Sequence, residues 1–277
     1  MESKAKKQKR SRKEKGFPLL LSIISVICIL GATVFSVAQK ISKEMSASAI
    51  QNLSESLDLI ECTIEAILKN EAEFQKLMAQ EIAKAEEPGK YIRSYQKNKT
   101  MVKVSLIPEG ETEGISNEEG VFTEEGLDFS GGNLVNGLPI SQSYVNYMGA
   151  WAYTMKCPVE QGGRELGTLY IEYIYDALDE SLPDGFYNKR AMLYIMDAES
   201  SRFVLKPKGI GKRSAGHLNL EDFYRANDIK DKSLRKEVER CLEAGEDYLF
   251  YHDIRGKRAL NYMWAVNGGS AYLVGYV

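Results

Sequence analysis

Hydrophobic and polar positions along this chain change their spacing twice. Residues 17–38 carry no charged side chain over 22 positions. At about 1.5 Å per residue such a run covers roughly 30 Å, the hydrocarbon thickness of a bilayer. From about residue 41 to residue 87 the pattern becomes helical. The stretch holds no Pro or Gly, and Pro88-Gly89 ends it. Ile50, Leu53, Leu57, Ile60, Ile64 and Ile67 recur at spacings of 3, 4, 3, 4 and 3, with Phe74 and Met78 in phase and Glu71 interrupting. That period predicts a narrow apolar seam. Such a seam serves either as a parallel dimer stalk or as a face packed on the chain's own strands.

After Lys90 the pattern shortens to strands and turns. Residues 101–107 read as a strand, followed by an acidic, Gly-rich turn over 108–114. Residues 151–159 and 166–174 read as a hairpin turning at Glu160-Gln161-Gly162-Gly163. A short helix is expected next, before the break at Leu182-Pro183-Asp184-Gly185. The scheme then repeats: strands at 191–196 and 202–205 around a turn at 197–201, and a helix at 234–244 with Gly245 beyond its last turn. Strands at 248–253, 258–266 and 271–277 complete it, the last two joined at Asn267-Gly268-Gly269-Ser270. The closing hairpins GGRELGTLYIEY and GGSAYLVGYV resemble each other. Two related α+β modules, about 101–180 and 188–277, are therefore expected behind one long helix. Val277 falls within a strand, so the reading expects a chain truncated before a further segment.

Charge sets the orientation. Eight of the first 16 side chains are basic and two acidic, which leaves 28 Lys and Arg against 37 Asp and Glu in the rest. An acidic body speaks against a nucleic-acid partner. The basic flank lies on the N-terminal side of the apolar run, and the positive-inside rule keeps it cytoplasmic. Ser36-Val37-Ala38 would pass as a signal-peptidase site, but the run exceeds a signal h-region, and an uncleaved anchor is favoured. Residues 39–277 are then extracytoplasmic. Cys62, Cys157 and Cys241 are an odd set without CxxC spacing and are expected to be unpaired.

Catalytic signatures do not emerge. His217 and His252 stand far apart and outside any HExxH spacing; no GxSxG elbow or GxGxxG loop occurs. The chain is read as a non-enzyme with no cofactor and no metal.

The order of transmembrane helix, long exported helix, distal α/β module and smaller proximal module resembles the double Cache sensor domains, which are PAS-like and extracytoplasmic. The wording ISKEMSASAIQNLSESLDLIECTIEAIL, GTLYIEYIYDAL and LYIMDAESSRFVLKP is closest to receptors of Clostridia-type bacteria. The resemblance implies a basic cytoplasmic tail at 1–16, a transmembrane helix at 17–38 and a stalk helix at 39–89. It implies a distal module at 90–182 and a proximal module at 183–277. It also implies a small-molecule ligand, a homodimer through the stalk helix and a cytoplasmic output. That output is first read as a diguanylate cyclase. The alternatives are a histidine kinase, or an anchored surface protein without output.

In double Cache domains that bind amino acids, an Arg two residues before a Trp-Tyr pair holds the ligand carboxylate, and an acidic residue on the next strand holds its ammonium. Here Trp151 is present, Gly149 stands at the Arg position, Ala152 replaces the Tyr, and Glu172 matches the acid. The implied ligand residues are Trp151, Tyr153, Tyr170 and Glu172. Without the guanidinium an α-amino acid is disfavoured unless another cation substitutes, and an amine ligand is favoured. The opposing reading makes these aromatics ordinary sheet core. Alternation puts Tyr170, Glu172 and Ile174 on one face and Ile171, Tyr173 and Tyr175 on the other, so Glu172 and Tyr173 cannot share a pocket.

Overall fold

The computed structural model describes residues 2–182, 192–206 and 218–277. The predicted break at Pro183-Asp184-Gly185, the start of the strand at Ala191, and His217 lie outside the described residues. The chain divides into two units, Met1–Leu53 and Ser54–Val277. Helix α1 (Glu2–Lys84) makes up the first and opens the second, so the expected transmembrane and stalk segments form one uninterrupted helix. In the first unit Val26, Ile27, Ile29, Leu30, Val34 and Phe35 are each more than half exposed. Among the described residues this is one helix long and apolar enough to cross a membrane.

In the second unit α1 buries Leu57, Ile60, Ile64, Leu68, Ala72, Met78, Ala79 and Ile82. The seam predicted through Ile67 and Phe74 is thus corrected at those two positions, while Met78 is buried as predicted. Leu68 takes the place of Ile67, and Phe74 is 43% exposed. A 3.5-residue repeat suits supercoiled partners, whereas a straight helix turns every 3.6 residues and its buried stripe drifts accordingly. Here the stripe follows the straight helix, because this chain's own sheets cover it. Gln75 Nε2 donates to Met155 O and Leu169 O at 2.9 and 3.0 Å, and Trp264 Nε1 donates to Glu61 Oε2 at 3.0 Å.

The first sheet contains β1 (Met101–Pro108), β2 (Glu113–Ser116), β3 (Phe122–Thr123), β6 (Tyr144–Val145), β7 (Trp151–Gln161) and β8 (Arg164–Ile174). Between β3 and β6 lies a small hairpin of β4 (Leu134–Val135) and β5 (Leu138–Pro139). Helix α2 (Pro88–Ser94) precedes this sheet and α3 (Tyr175–Ser181) follows it. The second sheet contains β9 (Met192–Asp197), β10 (Phe203–Leu205), β11 (Tyr248–Ile254), β12 (Lys257–Val266) and β13 (Ala271–Tyr276). Helices α4 (Leu220–Ala226) and α5 (Lys232–Ala244) intervene between β10 and β11.

Strand order is β3-β2-β1-β8-β7-β6 in the first sheet and β10-β9-β13-β12-β11 in the second, antiparallel throughout. Leaving out β3, the two orders are the same: a hairpin opens each sheet, and the last strand inserts at its centre. The fold is α+β, with a long helix and two antiparallel sheets as the sequence pattern predicts.

Local chemistry explains the boundaries. Gly162 and Gly163, at φ of 60° and 80°, make the two-residue turn between β7 and β8, so both strands run further than alternation alone suggests. Asp231 caps α5 by accepting from Ser233 N and Leu234 N, and Gly245 closes it in the left-handed conformation. Helix α4 was not anticipated from sequence; it is a two-turn element capped by Asn219 and buried through Leu220, Phe223 and Tyr224. Tyr194, Phe203, Phe223, Val238, Met263 and Tyr272 meet in the core of the second sheet. Cys28 and Cys62 are exposed, Cys157 and Cys241 buried, and all four are unpaired.

Gly167 sits opposite Pro108 where β8 crosses β1, with φ +154°, and a Cβ there would lie 2.3 Å from Ile107 O. Gly167→Ala should therefore cost about 2–3 kcal/mol of stability by forcing the central strand pair apart. Chemical denaturation measures it. A loss below about 0.5 kcal/mol would show that β1 yields freely.

Candidate functional site

The pleat of β8 divides the first sheet into two faces. Thr168, Tyr170 and Glu172 point away from α1; Leu169, Ile171 and Tyr173 point toward it. On β1 the side chains of Lys103 and Ser105 share the outer face, and on β7 Thr154 and Lys156 do. Register aligns them in rows: Lys103, Glu172 and Thr154 stand side by side across three strands, as do Ser105, Tyr170 and Lys156. Loop and edge elements from β3 and β6 roof this face over a cleft of about 340 Å³, whose lining includes Lys103, Ser105, Phe122, Tyr144, Asn146 and Glu172.

Glu172 is 8% exposed and held on both oxygens. Tyr144 Oη donates to Oε2 at 2.9 Å and Asn146 Nδ2 to Oε1 at 2.8 Å. Tyr144 has one proton and gives it to the carboxylate, so Thr154 Oγ1, 2.7 Å away, donates to Tyr144. Burial and the facing Glu172 charge push the Tyr144 hydroxyl far above the ordinary phenol range, keeping it a donor. Asn146 is fixed in turn, its Oδ1 accepting from Met148 N and Ala150 N at 3.0 Å each. The carboxylate is therefore pre-oriented by neutral donors and, among the described residues, has no cation paired with it.

Lys103 lies next to Glu172 across the ladder yet makes no ion pair with it. Its Nζ lies 5.3 Å from the centre of the Phe122 ring. Beside it Ser105, 1% exposed, has an Oγ without a hydrogen-bond partner. Such a group normally costs stability unless something satisfies it. Further along, Lys156 Nζ and Tyr170 Oη both donate to Glu124 at 2.7 Å. Burial raises the Glu124 carboxyl, but these two donors outweigh it and hold the group below its ordinary value. The cleft thus offers one free cation, one pre-oriented carboxylate and one unsatisfied hydroxyl.

Of the four residues expected from sequence, Tyr170 and Glu172 meet in this cleft. Trp151 and Tyr153 stand on the opposite face of β7, away from it. Gly149, at the expected arginine position, is in the loop tip between β6 and β7 with φ +78°, donating its N–H to Asn146 O. An arginine there would be strained. Lys103, Ser105, Tyr144, Asn146 and Thr154 were missed by sequence reasoning. Tyr144 and Asn146 come from a two-residue strand and a loop, which leave no periodic trace.

Tyr153 has a different partner. Its hydroxyl donates to Glu71 Oε2 on α1 at 2.6 Å, its ring stacks on Tyr173 at 5.5 Å, and Tyr175 meets it edge-on at 5.1 Å. Tyr173 Oη donates to the Glu71 carbonyl at 3.3 Å. The groups facing the Glu71 carboxylate are these neutral phenols, and burial pushes its carboxyl up to about 7.

No family model matches the sequence, and no curated protein matches it. Solved structures do. The ligand-binding domain of the Pseudomonas aeruginosa amino acid chemoreceptor PctC, in complex with GABA, is 14% identical, with a TM-score of 0.56 over 82% of this chain and 98% of that one. The sensory domain of the Campylobacter jejuni chemoreceptor Tlp3 with isoleucine bound is 12% identical, with a TM-score of 0.57 over 85% and 94%. The ligand-binding domain of the Pseudomonas fluorescens chemoreceptor CtaA in complex with L-alanine is 12% identical, with a TM-score of 0.55 over 82% and 96%. The fold of this chain is the Cache-like, PAS-like sensor fold of such ligand-binding domains, and these neighbours are sensory rather than catalytic domains.

Glu71 makes stability depend on pH. Its carboxyl titrates near 4.5 when unfolded and about 7 when folded. The native state then holds the extra proton between those values, and stability falls as pH rises from about 4.5 to about 7. Glu61 and Asp247 are also raised, both chiefly by burial, and add slope of the same sign. Comparison with Glu71→Gln isolates the first contribution. The variant should gain on the order of 2 kcal/mol over the parent at pH 8 and nothing at pH 4.5, by denaturant midpoints at both pH values. An equal difference at the two pH values would show that Glu71 does not titrate with folding.

Proposed function

We propose that the chain is the extracytoplasmic ligand-sensing region of a bacterial transmembrane receptor, and that the Glu172 cleft receives its ligand. The carrying observation is the row Lys103–Glu172–Thr154. There a pre-oriented carboxylate and a free ammonium stand on adjacent strands without pairing to each other. A small molecule with a protonated amine and an anionic group complements both. The amine meets Glu172, and the anion meets Lys103 with the Ser105 hydroxyl beside it. Lys103 supplies the cation that the sequence lacks at position 149, so an amino acid of the kind bound by the chemoreceptor neighbours is again a fitting ligand. Tyr170 and Phe122 close the apolar end of the cleft with Ile107.

In this reading residues 1–16 are cytoplasmic, the apolar part of α1 anchors the chain, and residues 39–277 lie outside. The exposed face of α1 forms a homodimer seam, and the output is a cytoplasmic diguanylate cyclase. Support for that output is the sequence resemblance to Clostridia-type receptors; a histidine kinase is the alternative. A second apolar span and a GGDEF motif encoded after codon 277 would favour the cyclase, and kinase motifs there the alternative.

Titration of the full chain in detergent micelles with GABA and a panel of L-amino acids, read by thermal shift and calorimetry, tests the cleft. At least one compound should bind saturably, adding about 2.7 kcal/mol of stability at a hundred times its Kd. Glu172→Gln and Lys103→Ala should each weaken it by about tenfold or more, worth roughly 1.4 kcal/mol. Unchanged affinity in both variants would remove the cleft from the reading.

A further inference from the structure

A second groove, of about 310 Å³, opens on the other side of the first sheet, where α1 passes the start of β1 and helix α3. Its lining includes Glu71, Phe74, Asn98, Met101, Tyr173 and Leu178. Tyr173 follows Glu172 directly on β8, so the pleat puts this groove and the ligand cleft on opposite faces, and neither can substitute for the other.

Glu71 is the one charged side chain among the groove's lining residues. One of its oxygens accepts from Tyr153 at 2.6 Å, and no other side chain among the described residues donates to the carboxylate. One neutral donor offsets only part of what removing a carboxylate from water costs. Carboxylates in such places are neutralised by a proton or paired with a cation, and none of the described residues supplies a cation here. The rest of the wall is uncharged, with Phe74, Tyr173 and Leu178 sharing it with neutral polar side chains such as Asn70, Asn98 and Thr100. Phe74 stays 43% exposed although Ala72 and Met78 on the same helix are buried, and the Tyr173 ring stacks against Tyr153. A lone carboxylate beside the exposed Phe74 ring is the chemistry that recognises an organic ammonium ion. Anions find no positive group to meet.

We propose that this groove is a second ligand site, which takes a small organic ammonium ion with Glu71 as its counter-charge and Phe74 and Tyr173 as its aromatic wall. The inference stands apart from the reading of the Glu172 cleft. Proton and ammonium compete for one carboxylate, so the cation binds when Glu71 is ionised. Binding loads charge onto the long helix itself, at a turn that the sheet holds through Tyr153 and Gln75.

Choline chloride is the probe, titrated into the full chain in detergent micelles by calorimetry, with sodium chloride at equal ionic strength as the blank. Saturable binding is expected at pH 8, and about tenfold weaker binding at pH 6, where Glu71 is mostly protonated. Glu71→Gln, which keeps the side chain's shape, should weaken binding at pH 8 at least tenfold. Phe74→Leu, at an exposed position that folding tolerates, should weaken it severalfold. Glu172→Gln should leave it unchanged. Absence of saturable binding at pH 8 overturns the proposal and leaves the proton as the sole partner of Glu71. Binding that survives Glu71→Gln but is lost in Glu172→Gln overturns it too, by moving the cation to the other face.

Discussion

Successive side chains on β8 leave opposite faces of one sheet, and most of what this molecule can do follows from that alternation. Tyr170 and Glu172 are committed to the outer cleft; Leu169, Ile171 and Tyr173 are committed to α1. No side chain of the strand reaches both. The mechanical link between cleft and helix is therefore the backbone of β7 and β8, where the Gln75 amide binds two carbonyls from adjacent strands. A shift of β8 relative to β7 would pull those carbonyls apart and is resisted by that side chain together with the backbone ladder that pairs the two strands.

The same helix face sets polar groups among its buried apolar ones. Around Leu68, Ala72, Met78 and Ile82 the packing is ordinary core, but Glu71 and Gln75 insert two polar groups between. Gln75 is fully buried, and its Oε1 has no partner. Replacing both by aliphatic residues would satisfy hydrophobic packing better. Their presence makes this turn of α1 less favourably packed than its aliphatic neighbours.

Much of the architecture was legible in the sequence because strong local rules agree there. The Gly162-Gly163 turn, the Gly245 cap and the long strands around them combine turn chemistry with periodicity. The helix phase was legible through Ile64 and again at Met78, but not at Ile67 and Phe74. Beyond Ile64 a 3.5 and a 3.6 repeat diverge, and sequence alone does not say whether a partner helix or a sheet covers the stripe. The region from Phe122 to Asn146 was opaque, since its strands are two residues long and its order comes from side chains that meet only in three dimensions. That region also supplies half of the cleft. The pleat separated Glu172 from Tyr173 correctly, whereas the resemblance put Trp151 and Tyr153 beside Glu172, and the same alternation on β7 turns them the other way.

In both sheets the strand that arrives last in sequence lies in the middle. The first sheet can close once β8 is made. The second keeps β9 and β12 apart, each with an open edge, until β13 slots between them. Chains emerge from synthesis in order, so the second sheet spends its early life as two unpaired halves, exposing the edges that favour association between chains. Residues 271–276 are thus the element on which assembly waits. The first sheet can be finished while the second still depends on the six residues of β13.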